Sequence, residues 1–572
     1  MSKLNLDRDQ MDQCRAVAEA VAAPVQRYID YHSTVSIERS VLRLFGVEGS
    51  GVHLPLVNEV VDKLDKRKLS LGVAYWFCRA LVQHHKLNSQ QLAQEIAKGK
   101  IRFEDGNEVP RDRIEKKAQE LVQQAGKKLN QVGDSRQRLL SRFRPRGDKP
   151  LNYIIIATGN IHEDAIQSQA AAEMGADIIA VIRSTAQSLL DFVPEGATTE
   201  GFGGTYATQK NFQIMRKALN ESTQQLKRYI GLTNYSSGLC MPEIAAMGAL
   251  EGLDYLLNDS MYGILFRDIN MKRTLTDQHF SRVICAKAGI TIMTGEDNYL
   301  TTAESYESWH QVLASQLINE AFAKNAGLYE SQMALGHAFE MNPEIEDSIL
   351  YEIAQAELVR EFFPKSPIKF MPPTRHKTGD IFTAHLYDAM FNLVSTLTNQ
   401  SIHLLGMPTE AIHNPFLMDR FMALKNANYI FRGAANMSQE IQYQSNGKIV
   451  RRARQMMEEA LRLLKKVQQV GLMNAIEQGL FAHMPRDKEG GKGLDGVFQK
   501  DRYYLNPFLA NSKESARESS PTEKSPEKRR EANSDRRGPP ARRRFNRRSP
   551  RSRGRGPGGE ASSTEKKSEQ TE

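Results

Sequence analysis
The sequence predicts an α/β protein: a closed (β/α)8 TIM barrel with N- and C-terminal helical accessory segments and a disordered C-terminal tail. Three observations predict it. Between residues 149 and 435, short apolar, β-branched runs alternate with longer helical stretches, the pattern of βα units and a parallel sheet. Eight such runs fit into about 255 residues, the number that closes a barrel. The segments on either side lack that alternation. A doubly wound open sheet produces the same local pattern and is the structural alternative.

Residues 1–148 read as a helical accessory domain. MDQCRAVAEAVAAPVQRYIDYH, LSLGVAYWFCRALVQHHK and DRIEKKAQELVQQAGKKLNQV repeat apolar residues at helical spacing, and the polar stretch SRFRPRGDKP ends the segment. In the barrel, 149–435, the expected strands are Tyr153 to Ala157, Ile178 to Ile182, Tyr229 to Thr233 and Tyr262 to Phe266. They are followed by Ile290 to Thr294, Met333 to Gly336, Ile368 to Met371 and Ile402 to Leu405. Residues 436–510 form a C-terminal helical segment. Residues 511–572 are rich in Ser, Pro, Gly, Glu and Arg with Phe545 as the one aromatic, and bury too little apolar surface to offset the entropy of ordering.

The net charge of +9 is unevenly placed: residues 511–572 hold 18 Lys and Arg against 10 Asp and Glu, and residues 1–510 hold 59 against 58. The folded part is therefore close to neutral. The tail's RRGPPARRRFNRRSPRSRGRG is suited to RNA or another polyanion, or to solubilising the chain. Cys14, Cys78, Cys240 and Cys285 are far apart with no Cys-x-x-Cys pair, which argues against a disulfide framework, a zinc ribbon or a cysteine-bound iron–sulfur cluster. No apolar run reaches the ~18 residues of a membrane span, and MSKLNLDRDQMDQ has no apolar signal region. The expected location is the cytoplasm.

In either α/β fold, ligands sit at the carboxyl ends of the strands. Asp177 to Thr208 is the clearest case. A β-branched strand delivers Arg183, Ser184, Thr185 and Ser188, then glycines at 196, 201, 203 and 204, which together supply the donors an anion needs. An ordinary strand and loop is the competing reading, since Gly201-Phe202-Gly203-Gly204 does not match G-x-G-x-x-G. The other strand ends offer Thr158 and Asn160, Asn234, Ser236 and Ser237, Arg267 and Asp268, and Glu296 and Asp297. Further on come His337 and Glu340, Pro372 to Arg375, and Glu410 with His413. Cations, carboxylates and hydroxyls converging on one rim suit a zwitterionic substrate and a phosphorylated cofactor. Tyr262 could stack on a flat ring or be an ordinary core tyrosine.

The stretches YIIIATGNIHED, ADIIAVIRSTAQSLLDFVPEGATTEGFGGTYATQ, NYSSGLCMPEIAAMGALEGLD, YGILFRDINMKRTLTDQHFSR, TGEDNYLTTA, MALGHAFEMNPE, KFMPPTRHKTGDIF and IHLLGMPTEAIHNPF together resemble the lysine 5,6-aminomutase α-subunit family. The resemblance runs to about Phe508 and leaves out the tail. It implies a radical isomerase that uses pyridoxal 5'-phosphate and adenosylcobalamin to move the terminal amino group of D-lysine or L-β-lysine to the neighbouring carbon. It also implies a β subunit with a Rossmann-type cobalamin domain and the Schiff-base lysine, in an α2β2 assembly. By the same resemblance, Arg183 and Ser188 hold the cofactor phosphate, with the backbone of Ser184, Thr185, Ala186 and Gln187 completing the cradle. Ser237 meets the cofactor ring, Tyr262 stacks on it, and Arg267 faces the phosphate or the substrate carboxylate. Asp297 and Lys369 bind the substrate's ammonium and carboxylate, and Glu410 is a candidate contact for the adenosyl group.

The base-off cobalamin motif Asp-x-His-x-x-Gly is absent: Asp277-Gln-His279 has Arg282 in the glycine position, and Ser401-Ile-His403-Leu-Leu-Gly406 has serine for aspartate. Cobalt ligation is therefore expected from the partner. The missing Cys-x-x-x-Cys-x-x-Cys argues against radical generation from S-adenosylmethionine. An ornithine-specific sister enzyme and a non-enzymatic polyanion binder acting through its tail are the alternative readings. One methylene is worth only about 1 to 3 kcal/mol of discrimination, too little to read from residues.

Overall fold
The computed structural model describes residues 3–145, 150–182 and 187–509. The tail, and with it the expectations of disorder and polyanion binding, lies outside the described residues, as do Arg183, Ser184, Thr185 and Ala186.

The barrel strands are β1 (Leu151–Ile155), β2 (Ile178–Ile182), β3 (Gly231–Tyr235), β4 (Tyr255–Leu257), β5 (Thr291–Met293), β6, β7 (Lys369–Met371) and β8 (Ile402–Leu404). β6 is split at Leu335: Met333–Ala334 pairs with β5, and Gly336–Ala338 pairs with β7. β8 in turn pairs in parallel with β1 through Ile402 and Leu151, which closes the ring and rules out the open sheet. Tyr153, Ile178, Ala180, Leu257, Met293, Ala334 and Ile402 fill the interior. Outward-facing strand residues such as Ile154, Ile179 and Leu232 join a second core under the helices, the alternation that the period-2 pleat imposes.

The fourth expected strand is corrected. Tyr262 to Phe266 is part of the helix Ser260–Arg267, and β4 is the preceding Tyr255–Leu257. The Asp259 side chain accepts the Met261 N–H and caps that helix, so the run YGILF packs at helical spacing and buries Met261, Gly263, Ile264 and Leu265. β1 and β3 begin two residues from their expected starts, and Ile178–Ile182 matches its expectation.

The flanking helices belong to the same hydrophobic core, which runs from Leu4 to Phe508. The strand His32–Thr34 pairs antiparallel with Val497–Gln499 and ties the two flanks together. The long helix Arg111–Arg142 lies under the N-terminal end of the barrel: Arg136 donates to Leu253 O (3.2 Å) and Ala288 O (2.7 Å), just before β4 and β5. No helix among the described residues is long and apolar enough to cross a membrane.

Candidate active site
A cavity of about 1010 Å3, partly open to solvent, lies at the carboxyl ends of the strands. It is lined by Gln187 and Ser188 after β2, by Tyr235 to Gly238 at the end of β3, and by Tyr262 and Arg267 in the helix after β4. Asn298 and Thr301 follow β5, Lys369 stands on β7, and Glu410 follows β8. Of the twelve residues expected at the site, the cavity lining includes Gln187, Ser188, Ser237, Tyr262, Arg267, Lys369 and Glu410. Asp297 joins them through Lys369. Arg183, Ser184, Thr185 and Ala186 lie outside the described residues.

The two loops expected to grip a cofactor are packed to contact. Leu239 N–H donates to Ser188 O (3.0 Å), and a Cβ on Gly238 would lie 2.3 Å from Ser188 Cα. Only glycine permits that approach. Gln187 spends its side chain on the next loop, donating to Ala207 O (3.0 Å) and accepting from Ala207 N–H (2.7 Å). Behind this turn stands Asp191, which accepts from the fully buried Arg273 (2.9 Å) and from Arg39 of the N-terminal helix Val35–Leu44. Burial alone would raise the Asp191 carboxyl, but Arg273 and Arg39 outweigh it and hold it below the ordinary range. Arg273 also donates to Leu239 O (2.8 Å), so one guanidinium braces the loops after β2 and β3 together.

Tyr262 presents its ring to the cavity. Arg267 donates to the Tyr262 hydroxyl (2.9 Å), and its guanidinium lies 5.3 Å from the ring centroid. The Tyr262 side chain is seated against Gly295, where a Cβ would lie 2.9 Å from Tyr262 Cβ. In the same lining, Lys369 Nζ is 2.6 Å from Asp297 Oδ2, and both residues are buried. Asn298 donates to Asp297 Oδ1 (2.8 Å) and fixes its plane. Burial raises the Asp297 carboxyl and Lys369 pulls it back; for Lys369, burial favours the neutral amine but Asp297 outweighs it and raises the pKa. The lysine is thereby kept cationic.

Several other strand-end residues serve the scaffold. Asn160 caps the helix Ile161–Met174, and the Ser236 hydroxyl donates to Met241 O (3.1 Å). His337 stacks on Phe370 (4.5 Å) away from the cavity lining. Glu340 accepts the N–H groups of Thr374 (2.9 Å) and Arg375 (3.0 Å). The two near-misses of the cobalamin motif are also spent on packing. Asp277 pairs with Arg273 (2.7 Å), Arg282 donates to Asn258 O (2.8 Å), and both ring nitrogens of His403 are engaged, by Ser395 (2.9 Å) and Asn392 (2.7 Å). Sequence reasoning missed Tyr235, Asn298 and Thr301 in the lining, although Tyr235 ends its strand and the other two lie in the short 3-10 helix Glu296–Thr301 that follows β5.

Residues 4–511 match the family described as the D-lysine 5,6-aminomutase TIM-barrel domain of the α subunit. The chain is 52% identical over 513 residues to the lysine 5,6-aminomutase α subunit of Acetoanaerobium sticklandii, covering 89% of this chain and 98% of that protein. It is 51% identical over 518 residues to the protein of the same description from Fusobacterium nucleatum, with the same two coverages. The D-ornithine 4,5-aminomutase subunit beta of Acetoanaerobium sticklandii is 28% identical over 369 residues, covering 62% of this chain and 50% of that protein.

Proposed function
The chain belongs to the D-lysine 5,6-aminomutase α-subunit family, and from that premise we propose that its barrel mouth binds pyridoxal 5'-phosphate and a basic amino acid for migration of the terminal amino group. Membership makes it the α-type subunit of an aminomutase, an isomerase, and its relatives' designation as α subunits implies a partner subunit. We assign D-lysine and L-β-lysine as substrates, giving 2,5- and 3,5-diaminohexanoate. The higher identity and coverage of the lysine enzymes over the ornithine enzyme supports that choice.

The buried Lys369–Asp297 pair beside Tyr262 and Ser237 carries the reading. A zwitterion brings the one ligand chemistry that replaces both partners at once: its carboxylate to Lys369 and its ammonium to Asp297. The residues present also fit a flat phosphorylated ring. Tyr262 offers a face, Ser237 a neutral hydroxyl, and the close contact at Gly238 brings the Ser188 turn and its backbone N–H groups against the Ser237 loop. When bound, pyridoxal phosphate and the partner's adenosylcobalamin supply the carbonyl chemistry and the radical initiation that side chains lack. This chain's own contributions are to orient the substrate through Lys369 and Asp297, to hold the ring against Tyr262 and to exclude water within the barrel mouth. An α2β2 assembly and a cytoplasmic setting complete the proposal.

The test is borohydride reduction after incubation with pyridoxal phosphate, with and without the partner subunit. The pyridoxyl group is expected on a lysine of the partner, because Lys369 is held as a cation by Asp297. A pyridoxyl group on Lys369 contradicts the assignment.

A further inference from the structure
A second cavity of about 1790 Å3, open to solvent, adjoins the first at the barrel mouth. Ile155, Pro372, Leu404 and Glu410 line both, so these four residues form the neck between the two spaces. Three are apolar, and Glu410 is the ionisable one. Its side chain is 38% exposed, yet it is tied down: Lys377 Nζ donates to Glu410 Oε2 (3.3 Å) and to Met407 O (3.1 Å), and lies 2.8 Å from Asp388 Oδ1. The Lys377 side chain is 1% exposed, and its ammonium is shared between two hydrogen bonds and the ion pair with Asp388. It therefore joins three elements: its own loop after β7, the loop after β8, and the helix Ile381–Leu397 that carries Asp388.

Two independent features hold this arrangement in place. A Cβ on Gly406 would lie 2.0 Å from Asp388 Oδ1, so glycine lets the loop after β8 pass this carboxylate without displacing it. At the near end of the Lys377 loop, Glu340 holds the backbone of Thr374 and Arg375. We propose that Lys377 is a positioning residue that fixes the Glu410 carboxylate at the neck, where it presents a set acceptor to a hydroxyl or N–H donor on the reactant crossing between the two spaces. The proposal rests on the reading of the inner cavity as the reacting site.

The experiment is a double-mutant cycle of Lys377→Met and Glu410→Gln in the complex with the partner subunit, read by kcat, KM and pyridoxal phosphate affinity. Each single change is expected to lower kcat by about tenfold to a hundredfold, the scale of a misplaced group near reacting atoms, with cofactor affinity unchanged. The double variant is expected to be no worse than E410Q, and hydrogen exchange of residues 405–416 to accelerate in K377M. Losses that multiply in the double variant, or weakened cofactor binding, overturn the proposal. If K377M does not fold, K377R takes its place in the same cycle, and a loss that persists in the E410Q background overturns it. If the wild-type complex turns over none of the amino acids, the reading of the inner cavity fails and exchange alone decides. Acceleration at 405–416 in K377M, or in K377R if K377M does not fold, upholds the tie to Glu410, and unchanged rates overturn it.

Discussion
Lys369 on β7 and Asp297 after β5 face each other at 2.6 Å within the barrel, with no exposure for Asp297 and 5% for Lys369. A pair this buried loses more by deletion of one member than by neutralisation of both. Lys369→Met is expected to lower stability by about 3 to 5 kcal/mol through the uncompensated carboxylate, and K369M/D297N to recover most of that. Urea unfolding of the two variants checks the stability difference. Neither is expected to turn over substrate.

Tyr262 offers a ring face and takes a hydrogen bond from Arg267. Tyr262→Ala is expected to weaken pyridoxal phosphate binding by about 1 to 2 kcal/mol, roughly tenfold, and Tyr262→Phe by less, because it keeps the face and loses only the hydroxyl. Absorbance titration with the cofactor measures both.

Gly238→Ala places a methyl against Ser188 backbone, 2.3 Å from Cα and 2.4 Å from O. Backbone cannot rotate away as a side chain can, so the loops after β2 and β3 must part. Cofactor affinity is expected to fall at least tenfold, about 1.4 kcal/mol, while the melting profile of the barrel changes little.

Burial raises the Glu340 carboxyl from 4.5 to about 7, against the opposing pull of the hydrogen bonds from Thr374 and Arg375. The folded protein thus holds this proton more tightly than the unfolded chain. The resulting stabilisation is complete below about pH 4.5 and is lost as the pH rises through about 7. Glu340→Gln removes the titration, so stability measured by urea unfolding is expected to decline less steeply across that interval than in the wild type.

What the sequence revealed follows physical range. β2 was legible because Ile178–Ile182 is a five-residue apolar run rich in β-branched residues, with Ile178, Ile179, Ala180 and Val181 buried, whereas β4 is three residues long and was masked by the neighbouring YGILF, which the Asp259 cap starts as a helix. Asp297 and Ser237 were legible as strand-end residues, and Lys369 only through the family motifs. The bracing of Asp191 by Arg39, 152 positions away, was not, because no local pattern records a contact made only when the N-terminal helices close on the barrel. Lys377 was hidden for the same reason: in PPTRHKTGD it reads as a solvated loop cation, and only the fold buries it against Asp388.

The central claim is amino-group migration at this barrel mouth, and product analysis tests it most directly. The chain, its partner subunit, pyridoxal phosphate and adenosylcobalamin are incubated with D-lysine, L-β-lysine or D-ornithine, and the position of the amino group is read by NMR. The expected result is 2,5-diaminohexanoate from D-lysine and 3,5-diaminohexanoate from L-β-lysine, both abolished by K369M. Unchanged lysines, or migration in ornithine alone, would contradict it.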